Sequence, residues 1–419
     1  MTTSSGSDLI SDSGDRYTQP GELVQEPPKK LLEVFKYLGP SVIITSTIVG
    51  SGEVILTASL GAAVGYGMLW WVLISCWSKS IVQGELARYI VLSGDTYPRA
   101  LNRVPGKITI HKDKRVSWPL ILVALSFLTS VSGLGGLIGG ATLAIMLAFP
   151  AFNSTLVIAV LGVVTVILLG TGSYKRLESM MLIMVGSFTL LTMLCFVLMQ
   201  GTEYATTFDQ LVSGFKFEFY PEFAVLALAA YGYTGVNSGE IGAYTYWCIE
   251  KGYPARIGPY QNTQDWLYRA KGWLAVLRTD VWVTLLILTM ATIPFYFLGA
   301  GILHATGQTP SGHETVRALS GMYTETLGDW SIWVFATGAF FILYSSTVSA
   351  VAAQSRILPD YFIEFGLLSR DRLDIRKKIT RWWIFGAPVA GFLIAVFIQR
   401  PVLLVSIAAC VFAMMLPIQ

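Results

Sequence analysis

The chain has 419 residues, of which 53% are hydrophobic and only 13% charged, with a mean hydropathy of +0.59. Soluble domains carry about 25% charged residues, so this composition indicates an integral membrane protein and excludes nucleic-acid binders, secreted disulfide scaffolds and disordered chains. The net charge of +3 is spread along the chain, and the four cysteines lie in apolar runs typical of core positions.

Residues 1–30 are rich in Ser, Gly and Asp and contain no apolar segment, which predicts a disordered tail and not a signal peptide. After them, apolar segments of roughly 20 residues recur, the length needed to cross the hydrocarbon core of a bilayer. Ten spans are predicted, at 38–64, 68–93, 118–148, 154–172, 179–199, 221–249, 280–303, 330–358, 380–399 and 401–419.

The basic residues predict the orientation of these spans. With the tail in the cytoplasm, 24 of the 29 lysines and arginines fall on the cytoplasmic side and 3 on the outer side, while Lys79 and Arg88 lie within the second span. This bias is the positive-inside pattern, so we predict a multi-pass protein of the plasma (inner) membrane with a cytoplasmic N-terminus. Residues 260–275 mix aromatic and charged side chains and are predicted either as an amphipathic helix on the inner surface or as a polar loop.

A short string occurs in the middle of both the first and the sixth span. It reads V-G-S-G-E-V at residues 49–54 and V-N-S-G-E-I at residues 236–241. A Ser-Gly pair inside an apolar helix favours a break, and two copies five spans apart have opposite orientations in the membrane. The pattern therefore predicts an inverted repeat of five plus five spans, with repeats at 31–200 and 221–419 joined by an extracellular loop at 201–220. The binding site is then expected between the two broken spans, at the midplane.

Each copy of the string carries an acid, Glu53 in the first and Glu240 in the second. Either residue could simply cap the half-helix that it opens, because a carboxylate is favoured at a helix N-terminus. However, acids at mid-membrane positions are costly and usually functional.

The ordered motifs of the chain resemble those of the Nramp family of proton-coupled divalent-metal transporters, from about residue 38 to the end. They are Leu38-Gly39-Pro40, Gly65-Tyr66, Gln83 to Gly94 at the end of the second span, Tyr174-Lys175-Arg176-Leu177-Glu178, Arg278-x-Asp280, Leu303-His304, Ser345-Ser346-Thr347 and Ile379-Thr380-Arg381. The resemblance implies an all-α membrane protein of about ten transmembrane helices, with the LeuT-like inverted repeat and discontinuous first and sixth helices.

The residues that hold metal in this family are replaced here. The family's D-P-G-N signature falls on Gly50, Ser51, Gly52 and Glu53, so the metal-binding aspartate is missing. Its M-P-H signature falls on 237–239, here Asn-Ser-Gly, and a second family histidine falls on Tyr244. The acids of the third helix, part of the family's proton path, fall near two glycines at 133 and 136.

The replaced site offers only hard oxygen donors, which suit magnesium, calcium or manganese better than copper, zinc or iron. We therefore predict proton-coupled uptake of a hard divalent cation, with Glu53, Asn237 and Glu240 as metal ligands. Gly50, Ser51, Gly52 and Ser238 complete the predicted substrate site. Glu53, Glu240 and Lys79 are candidates for proton coupling or charge tuning. No cofactor and no nucleic-acid partner is expected; the predicted partners are the transported species, protons and the lipid bilayer.

Lys79 favours an alternative hypothesis for the substrate. It lies near mid-membrane and needs an anion, for which Glu53 or Glu240 is the predicted partner. A lysine paired with Glu53 would stand in for a bound cation and favour an organic substrate. The G-S-G string at 50–52 also resembles the helix 1 turn of the amino acid–polyamine–organocation transporters, where backbone amides hold a carboxylate. Uptake of a small organic solute, or a non-transporting sensor on the same scaffold, are the alternatives.

Two further features complete the prediction. Glycines at 133, 135, 136, 139 and 140 in the third span are expected to allow close helix packing. The chain stops at Leu416–Gln419 within the tenth span, which predicts a fragment or a shortened relative. No nucleophile–base set, HExxH or phosphate loop is present in the sequence, so no enzyme activity is expected.

Overall fold

The computed structural model describes residues 24–38, 40, 50, 52–111, 114–170, 174–308, 310 and 314–419, and it confirms the predicted helical architecture. The elements up to residue 213 are α1 (Leu31–Val34), a π-helical turn (Gly52–Thr57), α2 (Ala58–Val64), α3 (Leu69–Ser93), α4 (Tyr97–Asn102), β1 (Lys107–His111), β2 (Lys114–Ser117), α5 (Trp118–Ala148), α6 (Ser154–Gly170), α7 (Tyr174–Met199) and α8 (Phe208–Ser213).

The second half begins with a 3₁₀ turn at Pro221–Phe223. The remaining elements are α9 (Ala224–Tyr233), α10 (Ser238–Glu250), α11 (Tyr253–Ile257), α12 (Gln264–Leu298), a π-helical turn (Gly299–Leu303), α13 (Thr315–Leu327), α14 (Ser331–Glu364), α15 (Leu373–Ile398), α16 (Pro401–Met415) and a 3₁₀ turn (Leu416–Ile418).

Five helical segments of the described chain are long and apolar enough to cross a membrane, at Trp118–Ala148, Gln264–Leu303, Ser331–Glu364, Leu373–Ile398 and Pro401–Ile418. Shorter apolar helices lie at Gly52–Val64, Ser154–Gly170 and Val185–Met199. Together with α3 and the broken pair α9 and α10, these helices follow the order of the predicted spans. The first half of the first span, 41–49, lies outside the described residues.

Three helices extend beyond the membrane spans predicted for them, on the side that carries the basic loops, here called the basic side. The helix of the seventh span begins at Gln264 and not at 280, the eighth ends at Glu364 and not at 358, and the ninth begins at Leu373 and not at 380. The sequence-based bounds follow the apolar stretch alone, whereas helical hydrogen bonding continues through the polar residues that reach water.

The stretch 260–275 is therefore neither a separate surface helix nor a polar loop, because most of it forms the first turns of α12. Its Trp273 is fully buried and donates its indole N–H to the carbonyl of Gln25 at 2.9 Å. The guanidinium of Arg256 packs against the rings of Tyr37 and Trp273, 5.0 and 4.9 Å from their centroids, and the two rings contact each other edge to face. Residues 24–37, here called the N-terminal strap, thus pack on the base of α12, so part of the tail predicted to be disordered (24–30) makes ordered contacts.

A small antiparallel hairpin of β1 and β2 joins α4 to α5 on the basic side, with Lys107 opposite Ser117 and Ile108 opposite Val116. Its strands are only five and four residues long and lie in a loop that carries several basic residues, so hydropathy does not predict this hairpin.

The glycines of α5 pack as predicted. A Cβ atom on Gly136 would lie 2.8 Å from the carbonyl oxygen of Pro401 and 2.7 Å from Val405, and one on Gly135 would lie 2.6 Å from Ile394. Such distances are too short for real contacts, so only glycine lets α15 and α16 approach α5 this closely.

Candidate functional site

The sixth span is broken between Tyr233 and Ser238, as the Ser-Gly pattern predicts. Gly235 has a φ of +71°, a conformation that glycine adopts without steric cost. The new helix opens with a capping box, in which Asn237 Oδ1 accepts from the Glu240 N–H and Glu240 Oε2 accepts from the Asn237 N–H, both at 3.0 Å. The box accounts for one of the two carboxylate oxygens of Glu240. Within the described chain no donor lies within hydrogen-bond distance of the other oxygen, Oε1.

Glu53 links the start of the described part of the first span to the break of the sixth. It is completely buried in the π-helical turn Gly52–Thr57. Its Oε2 accepts from the Gly50 N–H at 3.1 Å, and its Oε1 accepts from the Gly235 N–H at 2.8 Å. A hydrogen bond between the hydroxyls of Thr57 and Thr234, 2.6 Å long, joins the same two segments. Both oxygens of Glu53 therefore hold Gly50 and the π-helical turn against Gly235 in the break of the sixth span.

Lys79 lies on α3 beside the end of α9, and its side chain is 1% exposed. The ammonium donates to the carbonyl oxygens of Tyr231, at 2.5 Å, and Thr234. The predicted ion pair with Glu53 or Glu240 is not formed: among the described residues, no carboxylate oxygen lies within 4.0 Å of the ammonium. The physical reason is the broken helix, whose last carbonyls lack helical partners and offer a lysine the negative end of a helix dipole.

A cavity of about 90 Å³ begins at the break and runs toward the basic side. Its wall includes Gly52, Asn237, Ser238, Gly239 and Glu240 from the breaks. Other parts of the wall come from the half of α5 next to the hairpin and from the half of α14 next to its end at Glu364. The aromatic residues that line the cavity come from several helices and are Tyr97, Phe127, Tyr233, Trp247, Tyr361 and Phe412. A water needs about 10–15 Å³ by such a measure, so the cavity has room for a partly hydrated ion or a small solute.

Packing on the opposite side of the break is tight. The hydroxyl of Tyr296 donates to the carbonyl of Gly65 at 2.8 Å and accepts from the Met68 N–H at 3.0 Å. Gly61 also approaches the Tyr296 backbone so closely that a Cβ there would lie 2.6 Å from the carbonyl oxygen. The described residues are therefore closely packed at the end where α2 meets the helix of the seventh span.

The structure separates the predicted site residues into two groups. Gly52, Asn237, Ser238 and Glu240 line the cavity, with Asn237 and Ser238 themselves 6% and 2% exposed. Glu53 and Lys79 are buried behind it and do not belong to its wall. Of the other two predicted positions, Gly50 donates its N–H to Glu53, and Ser51 lies outside the described residues.

The cavity also contains polar residues that the sequence analysis does not assign to the site. Gln354 of α14 donates to the hydroxyl of Ser130 at 2.9 Å and accepts from the indole of Trp383 at 3.3 Å, and Ser126 and Ser349 lie nearby on the same wall. An amide within an otherwise apolar span is the signal that could have identified Gln354, because polar groups at membrane depth usually face a cavity.

In the described part of the chain no group of three or more His, Cys, Asp or Glu residues is arranged to hold a metal ion. A cation in this cavity would therefore be bound by one carboxylate, Glu240, together with neutral oxygens. Such a donor set leaves room for water ligands, which magnesium keeps and manganese accepts.

Comparison with known proteins places the chain in a family. The family described as natural resistance-associated macrophage protein-like (Nramp) matches residues 41–419. An uncharacterized protein of Pasteurella multocida is 23% identical over 331 residues, which are 77% of this chain and 69% of that protein.

Solved structures show the same fold. A mutant of the Eremococcus coleocola manganese transporter superposes with a TM-score of 0.60 at 14% identity, covering 94% of this chain and 80% of that one. Mhp1, a nucleobase-cation-symport-1 family transporter, gives 0.55 at 14% identity, covering 94% and 78%. MhsT in complex with L-phenylalanine gives 0.52 at 13% identity, covering 94% and 89%. The chain belongs to the Nramp family of metal-ion transporters, and it is an integral membrane transport protein and not an enzyme.

Proposed function

We propose that the chain is a secondary active transporter that takes up a hard divalent cation of the magnesium or manganese type, driven by an inward proton gradient. The observation that carries the proposal is Glu240, which lines the cavity at the break of the sixth span beside Asn237 and whose Oε1 accepts no hydrogen bond from the described residues. The proton coupling is carried over from the family resemblance.

In this proposal Glu240 and Asn237 bind the cation, and Gly52 and Ser238 complete the wall next to it. Glu240 can bind the cation through Oε1 while its Oε2 keeps the capping hydrogen bond, so the helix that Glu240 caps holds the carboxylate in place. Glu53 acts as a positioning residue, because its oxygens already accept from two backbone amides. Its predicted role as a ligand is tested by the variant Glu53→Gln.

The proposed orientation follows the distribution of basic residues, with the N-terminus in the cytoplasm and the protein in the plasma (inner) membrane. The repeats are then 31–200 and 221–419, with residues 201–220 outside the cell. With this orientation the cavity lies in the cytoplasmic half of the protein.

The test is uptake of Mn²⁺ and Mg²⁺ into proteoliposomes under an inward proton gradient, with and without a protonophore. We compare the wild type, Glu240→Gln and a control, Glu85→Gln, whose carboxylate pairs with Arg88 on the exposed face of α3. Glu240→Gln should abolish uptake, Glu85→Gln should not change it, and the protonophore should stop it in both active proteins. A wild type that is correctly reconstituted and takes up neither metal would contradict the proposal.

A second candidate, uptake of a small organic solute, is favoured by the aromatic lining of the cavity, which includes Phe127, Trp247 and Phe412. It predicts no metal uptake, and instead an increase in thermal stability with a zwitterionic or cationic organic compound in a ligand screen. Loss of that increase in Trp247→Ala would support this candidate over the metal.

A further inference from the structure

Lys79 has an environment that differs from that of an ordinary buried lysine. Burial of an ammonium in a membrane protein is costly unless the charge is matched, and a carboxylate usually matches it. Here two neutral carbonyl oxygens do so, those of Tyr231 and Thr234, and the ring of Tyr231 lies 5.4 Å from the ammonium.

These oxygens have the properties of a cation site. They lie at the C-terminal end of α9, where the break removes the amides that would otherwise pair with them, and where the helix dipole is negative. The hydroxyl of Ser75 reaches the same two carbonyls, at 3.0 and 3.1 Å, and its oxygen keeps a lone pair for a cation. Backbone carbonyls and hydroxyls are the ligands that hard alkali and alkaline-earth ions take.

We propose that Lys79 is a tethered cation, whose ammonium occupies a carbonyl site at the broken sixth span that a monovalent alkali ion can fill when the ammonium is removed. The site is separate from the proposed cargo site, because Lys79, Tyr231 and Thr234 do not line the cavity that contains Glu240. The wild type consequently needs no bound sodium or potassium to hold α9 against α3. One of the two readouts below rests on the proposed transport function, and the other does not.

The monovalent charge follows from the donors. Two carbonyls and a hydroxyl bring no net charge, and Glu53, the acid bound to the same break, already accepts from two backbone amides. Replacing one positive charge by another therefore restores the balance, whereas a divalent ion would add an unmatched charge to a buried region.

The experiment removes the ammonium and offers free cations in its place. Lys79→Ala leaves the carbonyls and a space for an ion, and Lys79→Met is the matched control, because it fills the space without a charge. Each protein is purified in Na⁺, in K⁺ and in N-methyl-D-glucamine, and thermal unfolding is measured in each salt. Uptake of the cargo is measured in the same three salts.

We expect Lys79→Ala to melt at a higher temperature in Na⁺ or K⁺ than in N-methyl-D-glucamine, with no such difference in the wild type or in Lys79→Met. Uptake by Lys79→Ala should be at least about tenfold lower in the organic cation and should recover in the alkali salt. A wild type without uptake would remove the transport readout and the proposed function with it, but the melting readout would still decide the tethered cation.

Two results would overturn the proposal. One is a folded Lys79→Ala whose melting temperature is the same in all three salts. The other is a Lys79→Ala that cannot be recovered in any salt while Lys79→Met is stable and transports normally, since the position would then need volume and not charge.

Discussion

Replacement of Glu53 by glutamine separates the positioning role of this residue from a ligand role. The carboxylate accepts two hydrogen bonds from backbone amides, those of Gly50 and Gly235. A glutamine keeps one carbonyl oxygen for one amide, but its NH₂ group must then face the other backbone N–H, which is left buried and without an acceptor.

The magnitude follows from these two bonds. A hydrogen bond to a charged group contributes about 1.5–3 kcal/mol, and the neutral bond that survives has about half the strength of the original. Loss of one bond and weakening of the other should lower the free energy of unfolding by about 3 kcal/mol. Glu240→Gln, in contrast, should cost only about 1 kcal/mol, the value of a helix cap.

The assay is equilibrium unfolding in mixed micelles, followed by tryptophan fluorescence, with Mn²⁺ affinity measured on the same folded samples. Glu53→Gln should be much less stable than Glu240→Gln but should bind Mn²⁺ nearly as well as the wild type. A Glu53→Gln variant with wild-type stability and no Mn²⁺ binding would refute this prediction, because Glu53 would then be a metal ligand and not the acceptor that links Gly50 to Gly235.

Three further predictions concern other parts of the account. Gly235→Ala places a Cβ in a left-handed conformation at φ +71° and should lower stability by about 1–2 kcal/mol, measured by the same unfolding assay. Arg256→Gln removes the guanidinium that packs against the rings of Tyr37 and Trp273 and should accelerate hydrogen exchange in the N-terminal strap, whereas the exposed control Arg372→Gln should not. Equal exchange in both variants would refute this packing. Tyr296→Phe removes both hydroxyl bonds at the closed end and should increase labelling of a cysteine introduced at Ala63, a partly exposed position of α2 near that end; unchanged labelling would mean that these bonds do not keep it shut.

Much of the fold could be predicted from the sequence, because membrane spans and breaks depend on local composition. The Ser-Gly-Glu string predicts the break of the sixth span, and the structure places it between Tyr233 and Ser238. The span bounds of α5 agree with the prediction because both ends coincide with the ends of the apolar run. The early start of α12 and the hairpin could not be predicted from hydropathy, since both lie in polar sequence.

The site was less predictable, because its chemistry depends on which groups the fold brings together. Glu53 and Glu240 occupy equivalent places in the repeated string, yet one is buried against backbone amides and the other lines the cavity. The difference comes from neighbouring helices and not from local sequence. For the same reason the partners of Lys79 were missed: backbone carbonyls carry no sequence signature, so a lysine beside a helix break suggests a carboxylate when only side chains are considered.

The most direct test of the central claim is Mn²⁺ binding to the purified protein by isothermal titration calorimetry, comparing the wild type with Glu240→Gln. The account predicts saturable binding with one site in the wild type, and at least about tenfold weaker binding in the variant at little cost in stability. A wild type that binds no Mn²⁺, or a Glu240→Gln variant that binds it equally well, would contradict the claim that the cavity at the broken sixth span is a divalent-cation site.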